Sequence, residues 1–288
     1  MNILVVGGTR FVGKHLVDTL LSKGHKVTIA TRGRTADDLG SKVNRIIIER
    51  TDPESLVRAL GKTFFDIIFD SLAYCSNDVK YLLDIAKCDK YIMTSSTAVY
   101  EKHIDTREKE FDPLNKKLIW CGRTDYPYDE IKRQAECALW QEYSHVNAVA
   151  VRFPFIIGKD DYTKRLFFYI EHIVKGIPVF VDNYDNQMSF VRSDEAGKFL
   201  ASFIDNNFCG PINGSSEQTI SIHDIVDYVK LKTGKSLLLT SNGDKAPYNG
   251  ESEYSINIAR AKKLGFRFTP LHEWIYDLID FYIQQADM

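Results

Sequence analysis

No two of the five cysteines, Cys75, Cys88, Cys121, Cys137 and Cys209, form a C-x-x-C pair, and their number is odd. A disulfide framework and a cysteine-held zinc are therefore not expected. None of the seven histidines makes an H-x-x-x-H or H-E-x-x-H helix face, so no metal site is expected either. Net charge is small, formally −2, which leaves no electrostatic footprint for nucleic acid or an anionic membrane. Apolar runs stay well short of the roughly 18 residues of a membrane helix. The opening MNILVVGG enters a strand without a basic leader, and the expectation is a cytoplasmic protein.

What is present is an ordinary globular composition, 44% hydrophobic and 26% charged, over 288 residues. That length suits one large α/β domain with a smaller lobe. Short β-rich runs at Asn2–Val6, Lys26–Thr31, Arg45–Glu49, Phe65–Asp70, Tyr91–Thr94 and Ala148–Arg152 alternate with helical patterns. Several of these runs are continuously apolar, as in strands buried on both faces. The stretch FVGKHLVDTLLSKG places Val12, Leu16, Leu20 and Leu21 at helical spacing, and Asp52 stands where it caps a helix opening at Pro53. The pattern predicts a Rossmann-type, doubly wound sheet of six parallel strands with a smaller mixed C-terminal substrate lobe. The nucleotide-binding domain is expected over 1–157, with 188–210 returning to it, and the smaller lobe over 158–187 and 211–288. Within the returning segment, Ser193-Asp194-Glu195 reads as the cap of a helix running to Phe203. A ligand cleft is expected between the lobes, at the carboxyl ends of the strands.

In LVVGGTRFVG, Gly7, Gly8 and Gly13 follow an apolar strand and precede an amphipathic helix, the context of a phosphate-binding turn. Arg10 stands where a third glycine is usual, and its guanidinium is expected along a phosphate. Thr9, Phe11 and Val12 complete the loop. An NAD site ordinarily has an acid at the end of the second strand, about twenty residues after the glycines. Here TIATRGRT offers Thr31, Arg32 and Arg34, a pair of cations suited to a 2′-phosphate. NADP is the expected cofactor, with NAD as the alternative. Asp52, Ala73, Tyr74 and Pro154 are further positions expected at the cofactor. Asp66 and Asp70, flanking the fourth strand, read as solvated or capping groups.

Tyr128-Asp129-Glu130-Ile131-Lys132 puts a phenol and an ammonium on one helix face. A neighbouring ammonium stabilises a phenolate and pulls its pKa towards neutrality, where it serves as an acid–base catalyst. Upstream, TSSTAVY ends a buried strand with hydroxyls able to bind a substrate oxygen. With these motifs in order, the sequence resembles the extended short-chain dehydrogenase/reductases, the NAD-dependent epimerase/dehydratase family. GGTRFVG resembles that family's G-x-x-G-x-x-G loop, SSTAVY its strand end, RFPFIIG its R-P-x-x-x-x-G segment and ARAKKLGFRFTPL its C-terminal L-G-x-x-P helix start. The resemblance implies Ser96 as the catalytic hydroxyl, Tyr128 as general acid/base, and Lys132 as the group that holds the cofactor ribose and lowers the tyrosine pKa.

Two departures narrow the activity. Dehydratases of the family carry an Asp-Glu pair where this chain has Thr97 and Ala98, so dehydration is disfavoured. Where many nucleotide-sugar epimerases place a diphosphate-binding arginine, this chain has Gln187, with Arg192 nearby as a substitute; Thr97, Gln187 and Arg192 are the expected substrate contacts. The expectation is an NAD(P)-dependent enzyme that moves hydride at a carbonyl/alcohol carbon of a small sugar-like substrate. A nucleotide-sugar 4-epimerase is the alternative. A non-catalytic nucleotide- or RNA-binding protein is a third, because the loop is also similar to that of the chloroplast stem-loop-binding proteins. The expected partner is a small molecule, a sugar or nucleotide sugar, with neither nucleic acid nor membrane, and a homodimer is carried as an expectation. The aromatic stretches RLFFYI and WIYDLIDFYI read as lobe-packing or subunit-contact faces.

Overall fold

Successive residues of β1 (Asn2–Val6) enter different cores: Ile3 and Val5 join one buried cluster, Leu4 and Val6 the other. Strict alternation in an all-apolar run means a strand covered on both faces. The computed structural model describes residues 1–61 and 63–287. After β1 come α1 (Phe11–Ser22), β2 (Lys26–Thr31), β3 (Asn44–Ile47), α2 (Pro53–Leu60), β4 (Phe64–Asp70), α3 (Ser76–Leu83), β5 (Lys87–Ser96), α4 (Tyr128–Gln141) and β6 (Asn147–Phe153). The rest is built from β7 (Phe155–Ile157), α5 (Arg165–Lys175), β8 (Val179–Phe180), β9 (Phe190–Arg192), α6 (Ser193–Ser202), β10 (Gly210–Asn213), α7 (Ile222–Thr233), β11 (Asp244–Lys245), α8 (Ala259–Lys263) and α9 (Ile275–Ala286).

The main sheet is parallel and runs β3-β2-β1-β4-β5-β6-β10. Its order reverses between β1 and β4, and ligand crevices of open α/β sheets lie at that reversal. The fold is thus the doubly wound one expected, with seven strands in place of six. The extra strand, GPIN, has a single aliphatic residue and a proline, which a sheet accepts at its edge, where one set of ladder bonds is absent. It pairs with β6 and crosses the boundary drawn at residue 210. β5 is also longer than its apolar stretch: Lys90 is buried because its Nζ donates to the Phe203 and Asn206 carbonyls.

Helices α1 and α6 cover one face, and α2, α3 and α4 the other. Contact between α1 and α6 is close because Gly197 has no side chain; a Cβ there would stand 2.6 Å from that of His15. Ser193 does not cap α6 as expected. Arg192 occupies the cap position without a side-chain bond, and the Ser193 hydroxyl donates to Asp160. The α1/α6 core continues without a break into Ile170 of α5 and Ile279 of α9, so the C-terminal segments share the sheet's core. The two aromatic stretches pack on each other, with Phe167 and Tyr282 edge to face at 5.5 Å. Small parallel pairs β7–β9 and β8–β11 complete the lobe. Among the described residues no helix is long and apolar enough to cross a membrane.

Candidate functional site

A cavity of about 750 Å³ opens at the carboxyl ends of β1, β2 and β4. Residues 7–13, Thr31, Arg32, Arg34 and Tyr74, all expected at a cofactor, line it. The turn after β1 needs its glycines: Gly7 and Gly8 hold φ of +105° and +100°, which residues with a Cβ rarely adopt. Gly13 is required by proximity, since a Cβ there would lie 2.9 Å from the Gly8 main chain. Arg10 is tolerated because its φ is −144°, an extended value open to any residue. The positive φ passes instead to Phe11, at +49°. Arg10 donates to Thr35 Oγ1 at 2.9 Å and lies 5.6 Å over the Tyr162 ring. Arg32 and Arg34 are exposed on the cavity rim, and no carboxylate pairs with either among the described residues.

Four expected cofactor positions, Asp52, Ala73, Lys132 and Pro154, are not on the cavity wall. Asp52 is turned to its own helix, where it caps α2 by accepting from the Glu54 amide. Pro154 is buried between β6 and β7, and Ala73 is fully buried with its carbonyl occupied by Lys132. The wall also holds Glu49, Arg50, Ser71, Leu72, Arg123 and Tyr162, which sequence reasoning missed. Asp70 is neither solvated nor a free cap. It is fully buried, accepts from Arg50 Nη2 at 2.6 Å and from the Tyr91 hydroxyl at 3.0 Å, and also receives the Leu72 amide. An aspartate ending an apolar strand, with an arginine three residues past the end of the strand before it, was the signal available for this buried pair.

Next to the cavity, β5 ends in Ser96, whose hydroxyl accepts from the Ala98 amide and faces Tyr128 at the start of α4. The Tyr128 ring meets Tyr74 edge to face at 6.4 Å. Lys132, one helical turn on, is buried and donates to the Ala73 and Thr94 carbonyls at 2.8 and 3.0 Å. Its Nζ lies 4.8 Å from the Tyr74 ring centre and 6.0 Å from that of Tyr128. Arg123 flanks the same Tyr74 ring at 4.8 Å and pairs with Asp78. Tyr74 is therefore clasped between two cations.

The expected downward pull on the Tyr128 phenol is not the net result. Although 49% of the residue stays exposed, desolvation raises its pKa above the usual tyrosine value, and the Ser96 hydroxyl and the Arg165 charge only partly offset that. Burial also pushes the Lys132 ammonium down from 10.5 to about 8, against attraction from Asp70, Asp78 and Glu136. The sign for stability follows. Between about pH 8 and 10.5 the unfolded chain binds a proton here that the native state has released, so this group's contribution rises with pH across that window. Below pH 8 both states are protonated and the burial cost is felt in full. Denaturant titrations at pH 7 and 9 are expected to show Lys132→Met gaining stability relative to wild type mainly at the lower pH; an equal difference at both would refute the assignment.

Behind the strand end, Arg152 and Glu136 form a fully buried pair at 2.5 Å. Glu136 also accepts from Ser95, and Arg152 donates to the Tyr100 hydroxyl and the Glu108 carbonyl. This network braces the segment carrying Ser96. The positions expected at a substrate are engaged elsewhere: Thr97 is buried, Gln187 donates to Asp224 at 3.0 Å, and Arg192 is paired with Asp194. Among the described residues no group of three or more His, Cys, Asp or Glu side chains gathers to hold a metal ion.

The model of the NAD dependent epimerase/dehydratase family matches residues 3–84, the segment from β1 to the end of α3. Over this segment, less than a third of its length, the chain is similar to that family. Chloroplast stem-loop binding protein of 41 kDa b from Arabidopsis thaliana is 27% identical over 201 residues, 65% of this chain and 50% of the relative. The 2′-dehydrokanamycin reductase of Streptomyces kanamyceticus is 23% identical over 214 residues, 72% of this chain and 59% of the relative. The chain thus matches between half and three-fifths of the length of these curated relatives. Among solved structures, MoeE5 in complex with UDP-glucose and NAD superposes over all of both chains with a TM-score of 0.76 at 18% identity, a likeness of fold.

Proposed function

We propose that this protein is a member of that family, a nicotinamide-dinucleotide-dependent enzyme that moves hydride at a carbonyl/alcohol carbon of a small sugar-like molecule. The observation that carries the reading is the meeting of Ser96 and Tyr128 at the carboxyl end of β5, beside a glycine-floored cavity. The glycine turn fits a pyrophosphate, and the unpaired Arg32 and Arg34 fit a 2′-phosphate, so NADP is the preferred dinucleotide of this proposal. When bound, the dinucleotide supplies the hydride donor or acceptor. Ser96 donates a hydrogen bond to the reacting oxygen, and Tyr128 gives up or takes its proton. Lys132 fixes the ends of β4 and β5 through Ala73 and Thr94 and keeps positive charge beneath Tyr74 and Tyr128.

Thermal unfolding with NADP⁺, NAD⁺ or UDP tests the reading, because a ligand that binds only the native state raises the midpoint. The expected result is the largest rise with NADP⁺. Arg32→Ser/Arg34→Ser is expected to weaken NADP⁺ about 10- to 100-fold, the worth of lost charge-assisted bonds, and to leave NAD⁺ nearly unchanged. A rise with UDP supports a nucleotide-sugar 4-epimerase instead.

A second reading, RNA binding on the same scaffold, is favoured by the likeness to the stem-loop binding protein. Retention on RNA that falls steeply with salt, together with no response to either dinucleotide, would establish it over the first.

A further inference from the structure

Among the described residues, only Ile156 and Tyr162 reach the cavity wall from beyond α4. The rest of that wall is made of strand ends, the loops that follow them, the first turn of α1 and Arg123. Tyr162 stands in the segment 158–164 that joins β7 to α5. It is 59% exposed, meets the Phe11 ring edge to face at 6.0 Å, and carries the Arg10 guanidinium 5.6 Å over its own ring centre. A glycine at position 10 would leave Tyr162 without that cation. The segment thus closes the cavity between the glycine turn and the C-terminal lobe.

Favourable and unfavourable contacts oppose each other along this segment. Its start is tied to α9, where the Tyr282 hydroxyl donates to the Gly158 carbonyl at 2.6 Å. Asp160 clasps it to the nucleotide-binding domain: Oδ2 lies 3.0 Å from His15 Nε2 on α1, and Oδ1 accepts from the Ser193 hydroxyl at 2.7 Å. Against the clasp stand two left-handed residues that are not glycine, Lys164 at φ +54° and Phe11 at +49°. Asp161 adds to the cost. Its Oδ1 accepts from the Thr163 amide and hydroxyl, but its buried Oδ2 has no hydrogen-bond partner among the described residues. Such strain persists only where neighbouring contacts enforce it, and it collects in clamps and switching segments. Here the enforcing contact is the clasp at Asp160.

We propose that residues 158–164 are a gate on this cavity: Tyr162 shuts it against Arg10 and Phe11, and the clasp of Asp160 on His15 and Ser193 keeps it shut. The gate rests on the function proposed above for what passes it, a dinucleotide. Unclasping then sets how fast a dinucleotide enters and how fast the spent one leaves. Neither Asp160 nor His15 lies on the cavity wall, so the clasp can be removed without touching what the cavity holds.

Stopped-flow fluorescence of NADPH and NADH with the full chain tests this, because a gate alters association and dissociation together, whereas a lost ligand contact alters chiefly dissociation. In Asp160→Ala both rates are expected to rise by about 3- to 30-fold, the worth of two partly exposed hydrogen bonds to a carboxylate, with Kd within about threefold of wild type. His15→Ala should act in the same way, and the double variant should add less than the two single changes combined, since both open one clasp. Tyr162→Ala, at an exposed position, should also raise both rates. In the chain without dinucleotide, Asp160→Ala is expected to speed amide hydrogen exchange over residues 158–164 and to leave β1 and α1 protected. Dinucleotide binding with rates unchanged in Asp160→Ala and Tyr162→Ala, or with dissociation alone accelerated, overturns the gate and leaves the function proposed above standing. If neither NADPH nor NADH binds the wild type, that function falls and the gate with it.

Discussion

Tyr128→Phe is expected to lower kcat by about 10²- to 10⁴-fold, the usual worth of a positioned acid–base group. Dinucleotide affinity should stay within about twofold of wild type, since the change deletes one oxygen and leaves the ring against Tyr74. NADPH oxidation with a panel of keto sugars, followed on whichever compound the wild type reduces, supplies the rate. The pH profile carries a second readout. Desolvation raises the Tyr128 pKa, so the protonated phenol, the form that donates to a carbonyl oxygen, persists beyond the usual tyrosine range. In the reductive direction, loss of rate on the alkaline side is expected to begin with Lys132, near pH 8, rather than with the phenol itself. A Tyr128→Phe enzyme that keeps its rate would remove Tyr128 from the chemistry.

The largest effect on stability is expected from Arg152→Met. Removing one partner of a buried pair leaves the other charge without compensation, at a cost of about 3–5 kcal/mol. Here Glu136 would keep only Ser95, and Tyr100 and the Glu108 carbonyl would lose their donor. On a chain of this size the melting midpoint should fall by on the order of 10 °C. Arg152→Met/Glu136→Leu should recover much of the loss, because no buried charge then remains; a double variant as weak as the two single losses combined would show that the two residues act independently. The same change should slow turnover, since the network holds the strand end bearing Ser96.

The parts of the fold legible in the sequence were those whose physics is local. Runs such as VTIA and DIIF are apolar throughout because strands between two helical layers bury both faces. Gly7, Gly8 and Gly13 were legible because a turn with positive φ and a close helix approach admits little else. β10 was not, because an edge strand needs neither a long apolar run nor a full set of amides. The residues proposed for catalysis stood out by spacing along one helix and at one strand end. Asp52 was read correctly as the cap of α2 but was also placed at the cofactor, because capping and ligand binding ask for the same residue type and only the direction of its carboxylate separates them.

By itself, the sequence determined the doubly wound sheet, the glycine turn after β1 and the cationic end of β2, since each is written in a continuous stretch of chain. Tertiary structure alone decided which polar and charged groups are spent and which remain free. It turned Gln187 to Asp224, Arg192 to Asp194 and Arg50 to Asp70, sank Lys132 beneath Tyr74, and left Arg32 and Arg34 on the cavity rim with no carboxylate partner among the described residues. The physical reason is that an ion pair is set by distance in space and by the solvent it excludes. Neither of these is written in the spacing of residues along the chain.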